Sequence, residues 1–191
     1  MGRASAGQGR GRPAAGVLSD AGHEVEETDV PRLADALDCY GKLVTSEFRS
    51  SWPRIRPLLT DDSARHMELS MEQMPPAGLD EYLRATADRH AIVRDWARFL
   101  AGFPLVLGPV STEPPGDVEV LDAERNERIG LAIRLCTATT FAGVPAVAVP
   151  TGVEAGVPMG VQIIGPHFRE DLCLAAASAV EAALGTFTPV G

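Results

Sequence analysis

The chain has 191 residues, enough for one ordinary domain with a real core, and its 45% hydrophobic and 23% charged residues are those of a soluble globular protein. A net charge of −9 excludes general affinity for nucleic acid, whose phosphates are held by clustered Lys and Arg. Cys39, Cys136 and Cys173 form no Cys-x-x-Cys pair, which argues against a disulfide framework and for a reducing cytoplasm, and no apolar run reaches the roughly 18 residues of a membrane span.

Residues 1–15 are rich in Gly, Ala and Arg without an apolar stretch, so they read as a disordered low-complexity or non-native start, with the ordered domain over 16–191. The first local signal is a helix end over Ala14–Ala21 closed by Gly22. His23–Val30 alternates loosely and suits an edge strand ended by Pro31. Leu33, Ala36, Leu37, Tyr40, Val44, Glu47 and Phe48 recur at steps of three and four and predict an amphipathic helix, interrupted at Pro53 and Pro57, with a shorter one to Met71. After the Pro75-Pro76 break, Leu79, Leu83, Ala87, His90, Val93, Ala97 and Leu100 predict one buried face of a long helix that stops at Gly102.

Pro104–Val110 predicts a short apolar strand and Ser111–Gly116 a Pro-rich loop. Asp122 is the expected N-cap of a helix with the stripe Ile129, Ala132, Ile133 and Cys136. The runs Thr139–Gly152 and Gly156–Pro166 read as two buried strands joined by a turn at Glu154–Gly156, and Glu170–Leu184 as a last helix ended by Gly185. Helices alternating with nearly uniform apolar strands point to an α/β fold whose strands are covered on both faces.

Side chains of catalytic type are present but scattered. Ser111 or Ser178 with His167 and Asp171 has the composition of a hydrolytic triad, yet no serine stands in a Gly-x-Ser-x-Gly turn, so capping and surface roles fit better. His23, His66, His90 and His167 have no metal-ligand spacing, and His90 falls on the predicted apolar stripe as a core histidine. The glycines of 152–165 follow no phosphate-binding pattern. No cofactor and no metal are expected.

Ala21-Gly22-His23-Glu24-Val25, then Phe103–Val110, then Thr140-Phe141-Ala142-Gly143-Val144-Pro145, then Gly160-Val161-Gln162-Ile163-Ile164-Gly165 with Phe168, Asp171 and Glu181 resemble, in this order, the C-terminal region of amidase signature enzymes. Thr140 stands where that family usually reads Asn, and Pro104 where Asp is frequent, which leaves the fine substrate assignment open. The resemblance implies an α/β fold, the C-terminal and incomplete part of a mixed sheet flanked by helices. It implies hydrolysis of a small-molecule carboxylic amide at a C–N bond other than a peptide bond.

The family's Ser–Ser–Lys catalytic group lies further toward the N-terminus in a Gly/Ser-rich stretch, so no catalytic residue is carried over. Lys42 lies downstream of the position of the family's lysine, and Ser50-Ser51, between Arg49 and Trp52, has no glycine to shape an oxyanion site. By the same resemblance Val110, Ser111 and Thr140 are expected to line the substrate pocket; as residues alone they fit plain loop ends equally well. The expected partners are the amide substrate, with no nucleic acid and no membrane, and self-association through exposed sheet surface. Alone, the chain is expected to be inactive; the alternative is a non-catalytic binding or interaction module derived from an amidase.

Overall fold

The computed structural model describes residues 3–6, 11–114, 122–154 and 156–186. Strand β1 (Arg3–Ala6) is followed by helix α1 (Arg12–Asp20) and strand β2 (Glu24–Glu26). Three helices come next: α2 (Leu33–Ile55), α3 (Asp61–Gln73) and α4 (Leu79–Gly102). Strand β3 (Leu105–Pro109) precedes the helices α5 (Ala123–Ala132) and α6 (Arg134–Ala142). The hairpin β4 (Ala146–Glu154) and β5 (Val157–Ile164) leads into the closing helix α7 (Glu170–Leu184).

The strands form one mixed sheet in the order β2-β1-β3-β5-β4. Strand β1 runs parallel to both β2 and β3, whereas β5 is antiparallel to β3 and to β4. Successive side chains of a strand point to opposite faces, and both faces are covered here. Leu105 and Leu107 of β3, with Val161 and Ile163 of β5, pack against Ala14 and Leu18 of α1 and Ala176 and Val180 of α7. Val106 and Ile164 face the other way, onto Ala36 and Leu43 of α2, Trp96 and Leu100 of α4, and Ala138 and Phe141 of α6. This double burial is the reason the strands read as unbroken apolar runs.

Several expectations hold in detail. Helix α7 spans Glu170–Leu184, and Asp122 caps α5 by accepting a hydrogen bond from the Arg125 amide at 2.8 Å. Gly22, at φ 90°, closes α1 while the next amide, of His23, bonds to Leu18 O. Other expectations give way. Residues 3–6 form a strand and α1 begins at Arg12, inside the stretch read as low-complexity. Pro13 sits in the first turn of α1, where a missing N–H costs nothing. The edge strand is confined to Glu24–Glu26. Helix α2 runs through Pro53 to Ile55, because so near its end only one intrahelical bond is forfeited.

The buried face of α4 is not the regular stripe. Ala85, Ile92, Trp96 and Leu100 are buried, whereas Leu79 and Leu83 are 74% and 57% exposed and Ala87 and His90 lie in solvent. His90 is therefore no core histidine. The helix is apolar on two faces, and the one bearing Trp96, with the larger payload, wins the interior. Arg89 lies over the Phe141 ring at 5.5 Å from its centroid and ties α4 to α6.

Candidate functional site

The run expected as a strand from Thr139 begins as a helix. Ala138, Thr139, Phe141 and Ala142 are buried on α6, and Gly143 at φ 72° ends it, its amide bonding to Thr139 O and Thr140 O. Packing against α2 outweighs the strand preference of Thr and Phe, and β4 starts only at Ala146. The helix expected from Asp122 through Cys136 is two helices, α5 and α6, that meet at Ile133.

That elbow brings α6 against the end of β3. Gln162 of β5, only 5% exposed, donates from Nε2 to Pro109 O at 3.0 Å and lies 3.1 Å from Cys136 Sγ. The Cys136 thiol donates to Val110 O at 3.2 Å. A buried amide between apolar neighbours costs free energy unless it is bonded, and here its bonds join β5, β3 and α6. Beyond Val110 the chain is tied to the same elbow, with the Thr112 amide on Ala132 O at 3.0 Å and Arg128 paired with Glu113 at 2.8 Å.

The three expected substrate-lining residues fall around this junction. Val110 and Ser111 are half-buried directly after β3, and Thr140 is exposed on α6, one turn beyond Cys136 and on the same face of the helix. Ser111 Oγ donates to Glu113 O at 2.6 Å and accepts from the Glu113 amide, which shapes a local turn and leaves the hydroxyl no base. Sequence reasoning missed Cys136 and Gln162 as the link. The available signal was Gln162 itself, a polar side chain inside the apolar run Val161–Ile164.

Three groups that could act as nucleophile or base, Cys136, Lys42 and Asp171, are engaged elsewhere. Burial pushes the Cys136 thiol above its ordinary range, against a smaller opposite pull from the Gln162 hydrogen bond, so it stays protonated at neutral pH. Lys42 pairs with Asp38 at 2.7 Å and Glu81 at 3.5 Å, and the Asp38 carboxylate holds its ammonium above the usual value. Asp171 is gripped by both nitrogen arms of Arg169, at 2.8 and 2.9 Å, and is held below the usual carboxylate range. Of the triad imagined from Ser111 or Ser178 with His167 and Asp171, Ser111 is thus committed to the Glu113 backbone and Asp171 to Arg169.

Two cavities of about 340 Å³ each open on the helical face. One is lined by Asp38, Cys39, Lys42, Glu81, Arg84 and Asp88, the other by Arg49, Trp52, Glu68, Met71 and Glu72, and neither includes Val110, Ser111 or Thr140. Among the described residues no three His, Cys, Asp or Glu side chains gather as a metal site, and no helix is long and apolar enough to cross a membrane.

Residues 10–174 match the family described as Amidase. The chain is 30% identical over 174 residues to the indoleacetamide hydrolase of Bradyrhizobium diazoefficiens, covering 89% of this chain and 33% of that protein. It is 27% identical over 201 residues to a glutamyl-tRNA(Gln) amidotransferase chain of Exiguobacterium sibiricum, covering 92% of this chain and 41% of that one. Its fold superposes on 6-aminohexanoate cyclic dimer hydrolase complexed with substrate at a TM-score of 0.77 and 21% identity, over 96% of this chain and 45% of the other. A bacterial aryl acylamidase of the amidase signature family gives 0.68 at 19% identity, over 95% and 43%. The chain therefore spans between a third and somewhat under half of the length of these relatives.

Proposed function

The chain belongs to the amidase signature family, and on that premise we propose that it carries the substrate-side part of an amidase-type hydrolase cleaving small carboxylic amides at C–N bonds other than peptide bonds. The observation that carries this reading is the family match over residues 10–174, which takes in the junction of β3, β5 and α6. Val110, Ser111 and Thr140 line the pocket from this side. The nucleophile, its lysine partner and the oxyanion donors belong to a part of the amidase fold that this chain does not include, so the isolated chain does not turn over. That view is supported by Ser111, committed to the Glu113 backbone, and by Lys42, committed to Asp38 and Glu81.

The substrate is a small neutral amide, in line with the relatives named for indoleacetamide and for a cyclic aminohexanoate dimer. The acidic surface speaks against a nucleic-acid partner even though a glutamyl-tRNA(Gln) amidotransferase is among the relatives. A cytoplasmic setting accords with the free cysteines Cys39, Cys136 and Cys173.

A second reading, a non-catalytic interaction module that self-associates, is favoured by one observation. β4 is one of the two edge strands of the described sheet and carries no charge from Ala146 to Val153. Sedimentation of the purified chain decides between the two readings. A discrete dimer lost on Ala148→Lys supports the module, and a species unaffected by that change counts against it.

The test of the first reading is a graft. Residues 10–174 replace the matched segment of the Bradyrhizobium diazoefficiens indoleacetamide hydrolase, and ammonia release from indole-3-acetamide is measured. Turnover in the folded graft, with a KM changed by Thr140→Ala, supports the proposal. A folded graft without turnover overturns it.

A further inference from the structure

Gln162 lies on the face of β5 that carries Ile164, opposite to Val161 and Ile163, because successive side chains of a strand alternate. That is the face packed against α6. Its directly paired residues are Gly108 on β3 and Ala148 on β4, which carry the smallest side chains a strand can offer. With no Cβ on Gly108 in the way, the Gln162 amide crosses β3 and reaches Pro109 O at 3.0 Å and Cys136 Sγ at 3.1 Å.

Burial alone does not ask for an amide here. An apolar side chain would bury at this place as Ile164 does, whereas an amide costs free energy to bury and gives direction in return. What the direction fixes is the exit of β3. Pro109 O is held by Gln162, Val110 O is held by the Cys136 thiol at 3.2 Å, and Gln162 meets Cys136, so two successive carbonyls are registered against β5 and α6. Val110 and Ser111 leave from that point, and Thr140 stands one turn after Cys136 on the same helix face.

We infer that Gln162 is a positioning residue for amide turnover: it sets the spacing between the Val110–Ser111 rim and Thr140 and acts on substrate only through them. The inference rests on the function proposed above and names the residue that holds that pocket in shape. Misplacing a substrate-holding group by about 1 Å can cost roughly 100-fold in rate, so a wall registered from behind controls chemistry it never touches. A loosened wall admits substrate in more poses, of which fewer are reactive, and this lowers kcat more than it raises KM.

The experiment uses the graft described above, carrying Gln162→Met, Gln162→Glu or Cys136→Ala, with kcat and KM for indole-3-acetamide followed across neutral and mildly acidic pH. Methionine matches the length of glutamine and has no donor. An ionised glutamate matches its shape but only accepts, and once protonated it regains one O–H donor for Pro109 O. Gln162→Met should lower kcat about tenfold or more at every pH, with KM moved by less than about threefold. Gln162→Glu should be as slow at neutral pH and recover relative to the wild-type graft as pH falls, since burial raises a carboxyl's pKa toward this range. Lowered thermal midpoints in both variants without that recovery would reveal a purely structural role and overturn the inference. So would wild-type kcat in the folded Gln162→Met graft. Cys136→Ala keeps the amide and removes the tie to Val110 O, so kcat should fall here too; an unchanged kcat would overturn the inference even where the Gln162 variants do not fold. An inactive wild-type graft defeats the function reading and this inference together, whereas an active one beside equally active variants defeats this inference alone.

Discussion

Leu135 of α6 fills the place that a side chain on Gly108 of β3 would occupy, so helix and strand meet at the closest approach a missing Cβ allows. The adjacent residue on the helix is Cys136, whose thiol reaches Val110 O two residues past Gly108. The close approach therefore sets the distance between the end of β3 and the face of α6 that bears Thr140.

Gly108→Ala should destabilise the chain by about 1–3 kcal/mol, the range for adding a methylene to a packed site. Leu135 yields by rotating its terminal methyl, which favours the lower part of that range. Gly130 in α5 is the control, since a Cβ there meets nothing within 4 Å. Gly130→Ala should stabilise by about 0.5–1 kcal/mol through helix propensity and unfolded-state entropy. Urea denaturation of both variants checks the pair, and equal effects would contradict the packing argument.

Gln162→Leu removes the donor to Pro109 O and leaves that half-buried carbonyl without this bond. The cost should be about 1–3 kcal/mol. The effect should not stay global: Cys136 loses the Gln162 hydrogen bond that lowers its thiol pKa, so its thiol should react more slowly with a maleimide while Cys173, behind the opposite face of the sheet, keeps its rate. Mass spectrometry of labelled peptides reads this directly. Uniform acceleration at all three cysteines would mean general loosening and would count against a local brace.

Stability should fall on the alkaline side. Burial raises the thiol pKa of Cys39, Cys136 and Cys173 in the folded chain. Above the ordinary thiol pKa of about 8.5 the unfolded chain releases these protons while the folded chain keeps them, so unfolding is favoured as pH rises. The contribution is fully present below the unfolded value and is lost as pH climbs through the folded ones. Thermal midpoints should be flat across neutral pH and then decline, and Cys39→Ala, Cys136→Ala, Cys173→Ala together should flatten that decline. A decline identical in the triple variant would assign it to other groups.

What could be read from the sequence follows from how many faces of each element are buried. Strands β3 and β5 are covered on both sides, so Pro104–Val110 and Gly160–Gly165 stood out as apolar runs, and α7 carries acidic residues in its first turn and a glycine at its end. Helix α4 misleads because it has two apolar stripes, and periodicity alone does not say which one meets Val106 and Ile164. Helix α6 misleads because Thr139-Thr140-Phe141 has strand propensity, and only the contact with α2 overrides it. At the site, Val110, Ser111 and Thr140 came from family resemblance. The bonds of Gln162 to Pro109 and Cys136 join residues 53 and 26 positions apart, a relationship no local pattern contains.

The most direct measurement is ammonia release from indole-3-acetamide by the purified 191-residue chain, run beside a Lys42→Ala, Ser50→Ala, Ser51→Ala control. Amide cleavage needs an activated nucleophile and oxyanion donors, and on the proposed function both lie outside this chain, so both samples should stay at the rate of buffer alone. Turnover by the wild-type chain that disappears in the control would contradict it, because the chemistry would then reside in these residues.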